Sequence, residues 1–463
     1  MEGPAPLGRV HPRRVDRAGL PDGPPVRGAA LTDPPNPTRG DRMDTVAGCP
    51  FAAGAGVDLV DADLYGSGDP HAIWAEHRRD APVRWQQVGA DRGFWSVTRH
   101  ADISRVLREH ETFSSQQGTL LNLLGAGDPA SGSQLAVTDP PRHGEMREPL
   151  QRALSIRAAE NYQADIRALV AELVAPLGEG GPFDLAAAMS SLPMAVTGTM
   201  MAIPSADWPL LTRAAIAALA ADDPAYQYRG SAEATLRRSH REIFAYFQDV
   251  VTSRRRHPGD DLIGTLLTMR VDGKGLTDGQ ITANCYSLLI GAIVTTPQVV
   301  TSAVAQLAGT GDLDRWADDP SLMNTAVEEA VRWASPTNHF MRYVVRDTEL
   351  AGVPIRAGDA VVTWLGSANR DERVFRDPFH FDIARRPNKH IAFGVGPHYC
   401  IGHTIARVTL RIAFAELLGN FTDLRLAAKP VRLRSNIIAG IRELKVTGRR
   451  RSSPAAVAGQ RGT

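Results

Sequence analysis

The chain has 463 residues, 43% hydrophobic and 22% charged, with 52 Lys and Arg against 51 Asp and Glu for a formal net charge of +1. Such a composition belongs to a soluble globular protein with a large core, and its balance gives no reason to expect nucleic acid or a membrane surface as a partner. Three cysteines, Cys49, Cys285 and Cys400, fit neither a disulfide framework nor a tetrahedral zinc site, which points to a reducing cytoplasm.

Residues 1–45 are rich in Pro, Gly and Arg, lack the apolar stretch of a secretory signal, and are expected to be disordered, with Met43 a candidate start. A single domain is expected over 46–447. Short strands are predicted at Val83–Trp85 and Gly93–Val97, and a glycine-rich loop at Leu120–Gly132. Apolar residues recur at three and four over Ala158–Leu177, Ala232–Arg254 and Ile281–Leu307, which predicts helices there. No run reaches the roughly 18 apolar residues of a membrane span. Strands return at Phe340–Val345 and Ala360–Trp364, with Arg356–Asp359 as a turn between short strands. A last helix is predicted from just after Cys400 to about Leu418. Residues 448–463 read as a disordered tail whose arginines are solvated. The fold class is mainly α with small β-sheets.

The segment Phe393-Gly394-Val395-Gly396-Pro397-His398-Tyr399-Cys400-Ile401-Gly402 carries the strongest chemical signal. A thiolate that ligates iron needs backbone wrapped closely around the sulfur, which the glycines permit, and a following helix adds positive partial charge. Phe393 is placed to shield the sulfur. Taken alone, the cysteine is as readily a buried structural one. Two further pairs have spacings that share one face of a helix: Glu329 and Arg332 at i and i+3, and His143 and Arg147 at i and i+4. Singly, each is usually a solvated surface pair.

Together these segments resemble the cytochrome P450 family. The cysteine loop matches F-x-x-G-x-x-x-C-x-G followed by Ala406-Arg407, and Glu329-Ala330-Val331-Arg332 matches the family's E-x-x-R. The matches run from about Asp69 to Val446. The resemblance implies one domain around a buried haem b, with Cys400 as axial ligand. Phe393, Gly394, Ala292 and Ala406 would lie against the haem. His143, Arg147, Arg342 and His398 would hold its carboxylates, and His380 would complete the Glu329–Arg332 network. Bacterial members imply a monomer that takes electrons from a ferredoxin and ferredoxin reductase. Arg142, Arg152, Arg385, Arg386 and Lys389 are the basic residues expected on the docking side.

One departure from the family pattern bears on chemistry. In Gly291-Ala292-Ile293-Val294-Thr295-Thr296-Pro297, Thr295 stands at the family's threonine, but Val294 replaces the acid that relays protons. Pro297 denies the Ile293 carbonyl its partner and predicts a bend. Either water relays protons through Thr295, or the outcome is coupling, desaturation or nitration rather than hydroxylation. A non-catalytic haem-thiolate sensor is a third alternative. Leu120, Leu121, Leu289, Gly291, Asn338, His339 and Phe340 are the expected pocket residues for a small, secondary-metabolite-like substrate, although a lone histidine such as His339 is more often a structural residue.

Overall fold

The computed structural model describes residues Asp58–Ser452. The stretch 1–45, Met43, Cys49 and residues 453–463 lie outside the described residues.

Helices form where an apolar stripe meets a polar cap. The Ala232–Arg256 helix starts at Ser231, whose side chain accepts from the Ala234 N–H. It buries Ile243, Phe247 and Val251, one turn apart, against the Trp208–Leu219 and Asp278–Ile293 helices. The predicted Ala158–Leu177 helix is instead two, Ile156–Glu160 and Gln163–Val174, ending in a 3₁₀ turn at Ala175–Glu179. Pro176 lies within that turn, and Gly180 and Gly181 beyond it adopt left-handed backbone that helix cannot continue through.

The predicted strands join one five-stranded sheet in the order Val83–Val88, Arg92–Val97, Ala360–Trp364, His339–Val344, Phe113–Ser114. Only the pairing of Ala360–Trp364 with Arg92–Val97 is parallel; the others are antiparallel. All five residues of Ala360–Trp364 are buried, as a central strand requires. The helical core is continuous from Met146 and Leu150 through Phe247, Leu289 and Val300 to Ala330 and Phe414.

Two expectations are corrected. The tail does not begin at 448: Lys445–Arg450 is a strand between Phe421–Leu426 and Phe183–Asp184. Its arginines are engaged, with Arg450 over the Phe421 ring and Arg451 bonded to both Asp314 and Asp318 at 2.7 Å. Those acids lie more than 130 residues earlier, so local composition gave no sign of them. Secondly, Asp278–Leu307 is long and apolar enough to cross a membrane by composition. It is interrupted at Val294–Thr295, and over half of its most apolar window is buried in protein, as suits a central core helix.

Candidate active site

The cysteine loop is held by backbone bonds. The Cys400 N–H donates to the Phe393 carbonyl at 2.8 Å, and the Tyr399 N–H to the Gly396 carbonyl at 3.0 Å. Gly396 has φ +78°, and a Cβ there would stand 2.6 Å from the Leu107 carbonyl oxygen, so only glycine fits. The helix starts at His403, three residues beyond the cysteine. Burial pushes the Cys400 thiol up from its ordinary pKa, while the Gly402 amide and the Arg147 charge pull it down. A loop that buries sulfur but supplies an N–H and a cation is prepared for a thiolate with a further positive partner.

Four donors gather in the cavity that Cys400 lines, a space of about 570 Å³. His143 and Arg147 come from the Arg142–Ala153 helix, Arg342 from the His339–Val344 strand, and His398 from the loop itself. Arg147 donates to the Tyr399 carbonyl at 2.6 Å, tying helix to loop. Arg342 is only 3% exposed, and among the described residues its side chain bonds only a main-chain carbonyl, that of Met341. The rings of His143 and His398 lie 4.4 Å apart, and His143 Nε2 is buried with no partner among the described residues. His398 Nε2 meets the Ser115 hydroxyl at 3.0 Å. Burial lowers His143 to about 4 and Arg342 to about 10, and burial with the Arg342 charge lowers His398 to about 2. Two guanidinium cations and two imidazole donors crowded this way are relieved by an anion placed among them.

A third wall is the interrupted helix. Asp278–Ile293 ends, Val294 and Thr295 stand outside regular helix, and Thr296–Leu307 resumes. The break falls where Pro297 predicts it, beside Thr295: Ile293, whose carbonyl Pro297 cannot partner, is the last helical residue, and Pro297 sits in the first turn of the resumed helix. The Thr295 hydroxyl donates to the Gly291 carbonyl at 3.1 Å. Gly291, Ala292, Val294 and Thr295 line the cavity, as do Phe393, Gly394, Ala406, Leu120 and Phe340.

Four expected pocket residues do not. Leu121 is buried against the small sheet, and Leu289 points into the helical core while Leu288 and Ile290 reach the cavity. Asn338 is buried, its N–H donating to the Ile437 carbonyl at 2.8 Å. His339 is the structural histidine: Nε2 accepts from the Leu121 N–H at 3.1 Å, and Nδ1 lies 3.1 Å from the Asn436 carbonyl.

Glu329 and Arg332 are both fully buried and meet twice at 2.7 Å. The third member is corrected. The His380 side chain is exposed, and only its carbonyl takes part, accepting from Arg332 and Arg385. Arg385, expected on a docking face, is 8% exposed and reaches Glu329 at 3.0 Å. Asn369 links this network to the loop by accepting from the Ile391 N–H. The sequence reading also missed Glu328, which grips Arg407 at 2.6 Å beneath the Phe393 ring.

The cytochrome P450 family model matches residues 319–434. The chain is 34% identical over 398 residues to cytochrome P450 NovI of Streptomyces niveus, covering 85% of this chain and 97% of that one. To linalool 8-monooxygenase of Pseudomonas putida it is 33% identical over 400 residues, covering 84% and 98%. The solved structure of P450 OxyD, involved in the biosynthesis of vancomycin-type antibiotics, superposes with a TM-score of 0.77 at 32% identity, over 85% of this chain and 100% of that one. The chain belongs to the cytochrome P450 family and is an oxidoreductase of its monooxygenase type. The family implies a haem-iron cofactor, and the residues fit one. The buried, partnerless His143 Nε2 and the thinly bonded Arg342 ask for carboxylates, and Cys400 offers sulfur to a metal in the same cavity.

Proposed function

We propose that this chain is a haem b monooxygenase that inserts one atom of O2 into a small, mostly apolar secondary metabolite. It acts as a cytoplasmic monomer with electrons from a ferredoxin and its reductase. The observation that carries this reading is one cavity lined at once by Cys400, by four cationic or imidazole donors and by Thr295 at a helix interruption. Likeness to NovI and OxyD supports the secondary-metabolite class.

In this reading Cys400 is the axial ligand, and His143, Arg147, Arg342 and His398 hold the two carboxylates. When bound, the haem iron supplies reductive activation of O2 and transfer of an oxygen atom. Thr295 spends its proton on the Gly291 carbonyl, so its oxygen lone pairs are left to hold a water at the cavity wall. Val294 carries no proton, so that water must be resupplied from solvent. Behind it lies a second cavity of about 210 Å³, lined by Val294 together with Ser190, Tyr226 and Gln298. The polar side chains in this mixed lining, on the far side of Val294, favour the water relay over the alternative of a dry site that couples or desaturates.

Reduced protein under carbon monoxide should show the thiolate-ligated absorption band, and Cys400→Ser should abolish it. A serine variant that keeps the band overturns the ligand assignment.

A further inference from the structure

The lining of the large cavity changes character along the Asp278–Ile293 helix. Beside the interruption it is Gly291, Ala292 and Val294; more than a turn earlier it is Tyr286 and Ser287. The Tyr286 hydroxyl lies 3.0 Å from His240 Nε2, joining this helix to Ala232–Arg256. Phe244, one turn beyond His240, stacks on the Tyr286 ring at 4.9 Å and 24°. The pair is thus held in place by Phe244, and all three rings line the cavity. Asp128, from the glycine-rich loop, lines the same cavity; its Oδ1 accepts from the Ala130 N–H at 2.8 Å, and Oδ2 has no partner among the described residues. Burial lowers His240 and raises Tyr286, keeping both neutral, and the Asp128 charge raises both.

We infer that Asp128, His240 and Tyr286 form a subsite for a hydrogen-bond-donating head group, a hydroxyl or an amine, on an otherwise apolar substrate. A carboxylate can only accept, so it selects a donor and repels an anionic head. The neutral tyrosine–histidine pair can accept or donate one further bond without carrying charge. Leu120, Leu123 and Phe244 leave the rest of the ligand apolar surroundings. From Tyr286 to Ile293, the last helical residue before the interruption, is seven residues, about 10 Å at about 1.5 Å per residue. The substrate is therefore about two linked rings long between its head group and the oxidised carbon. This length rests on the proposal that oxidation occurs beside Thr295.

Matched probes test it by calorimetric titration of the haem-loaded protein with 4-phenylphenol, 4-methoxybiphenyl and biphenyl-4-carboxylate. A hydrogen bond to a charged acceptor is worth about tenfold or more in affinity. The phenol should bind about tenfold more tightly than the ether, and the carboxylate most weakly. Asp128→Ala with Tyr286→Phe, which removes the acceptor and keeps the stacked ring, should erase the preference for the phenol while moving the ether's affinity less than about threefold. Asp128→Asn alone, on a surface loop, serves if the double variant folds poorly, and should reduce the preference. Equal binding of phenol and ether, tightest binding of the carboxylate, a preference that survives the substitutions, or no binding of any probe overturns the subsite. The carbon monoxide band, read on the same samples, reports separately on the Cys400 assignment.

Discussion

Val294 is 5% exposed and stands in the wall shared by the two cavities. A general acid relay contributes about 10²–10⁴-fold to a proton-transfer step, enough to decide between two competing outcomes. If water relays protons here, Val294→Asp leaves product identity unchanged and alters only rate and coupling, whereas Thr295→Ala sharply raises peroxide release. A hydroxylated product appearing only with the aspartate would show instead that Val294 selects the reaction outcome; product distribution with one substrate decides. His339 makes a different residue-scale prediction. Its ring is fully buried, and its Nε2 must stay unprotonated to accept from Leu121. Burial accordingly lowers its pKa to about 4. The unfolded chain, with a histidine near its ordinary value of about 6.5, takes the proton first. The contribution is therefore complete above about pH 6.5 and is lost as pH falls towards about 4, by about 3 kcal/mol in all. Denaturant unfolding at pH 7 and 4.5 should show a smaller acid loss in His339→Gln than in the wild type. An equal loss would remove His339 from the account.

Among the elements, the Met323–Ala334 helix carries the heaviest polar load. Glu329 accepts from Arg332, Arg385, the Asn388 side chain and the Asp382 N–H, while Arg332 also donates to the carbonyls of Asn369, Pro378 and His380. Removing the carboxylate strands two buried guanidinium groups, at about 3–5 kcal/mol. Glu329→Gln should therefore give mostly haem-free or insoluble protein. Arg385→Ala should destabilise comparably to Arg332→Ala, and His380→Ala should change stability by less than about 0.5 kcal/mol, since its side chain is exposed. Urea midpoints of the three variants check the order, and a large loss in His380→Ala would falsify the exchange of roles. Glu329 and Arg332 were legible because partners three apart share a helix face. Arg385 was not, because it is 56 residues from Glu329 and sits in a run of basic residues that looks like surface. The start of the Asp278–Ile293 helix was readable and missed, since Thr277 and Gln280 form a capping box. Leu289 failed as a pocket residue for another reason. Periodicity shows that a helix has two faces, but only packing shows which face the cavity takes.

Over the whole molecule the charges nearly cancel, at 52 basic against 51 acidic residues, so a redox partner must be steered by a local patch. Several candidates are already neutralised or hidden. Arg142 pairs with Asp272 at 2.9 Å, Arg152 with Glu148 at 2.5 Å, and Arg385 is buried in the Glu329 network. Arg386 and Lys389 are exposed, have no carboxylate partner among the described residues, and lie on the segment leading into the Phe393–Cys400 loop. Arg108 is exposed too, its backbone packed under Gly396 of that loop. An acidic ferredoxin should therefore feel Arg386 and Lys389 more than Arg142. Rim charges act mainly on association rate, and their reach is about 10 Å at 0.1 M salt. Arg386→Glu with Lys389→Glu should slow reduction by ferredoxin about tenfold at low ionic strength, and the gap should close as salt rises. Arg142→Glu should slow it less, because Asp272 already cancels that charge. Neither residue of the double variant lines the cavity, so substrate affinity should hold. Stopped-flow reduction at two salt concentrations separates the cases: equal rates for the double variant and the wild type at low salt would place the docking face elsewhere, and a larger effect at Arg142 would return it to the Arg142–Ala153 helix.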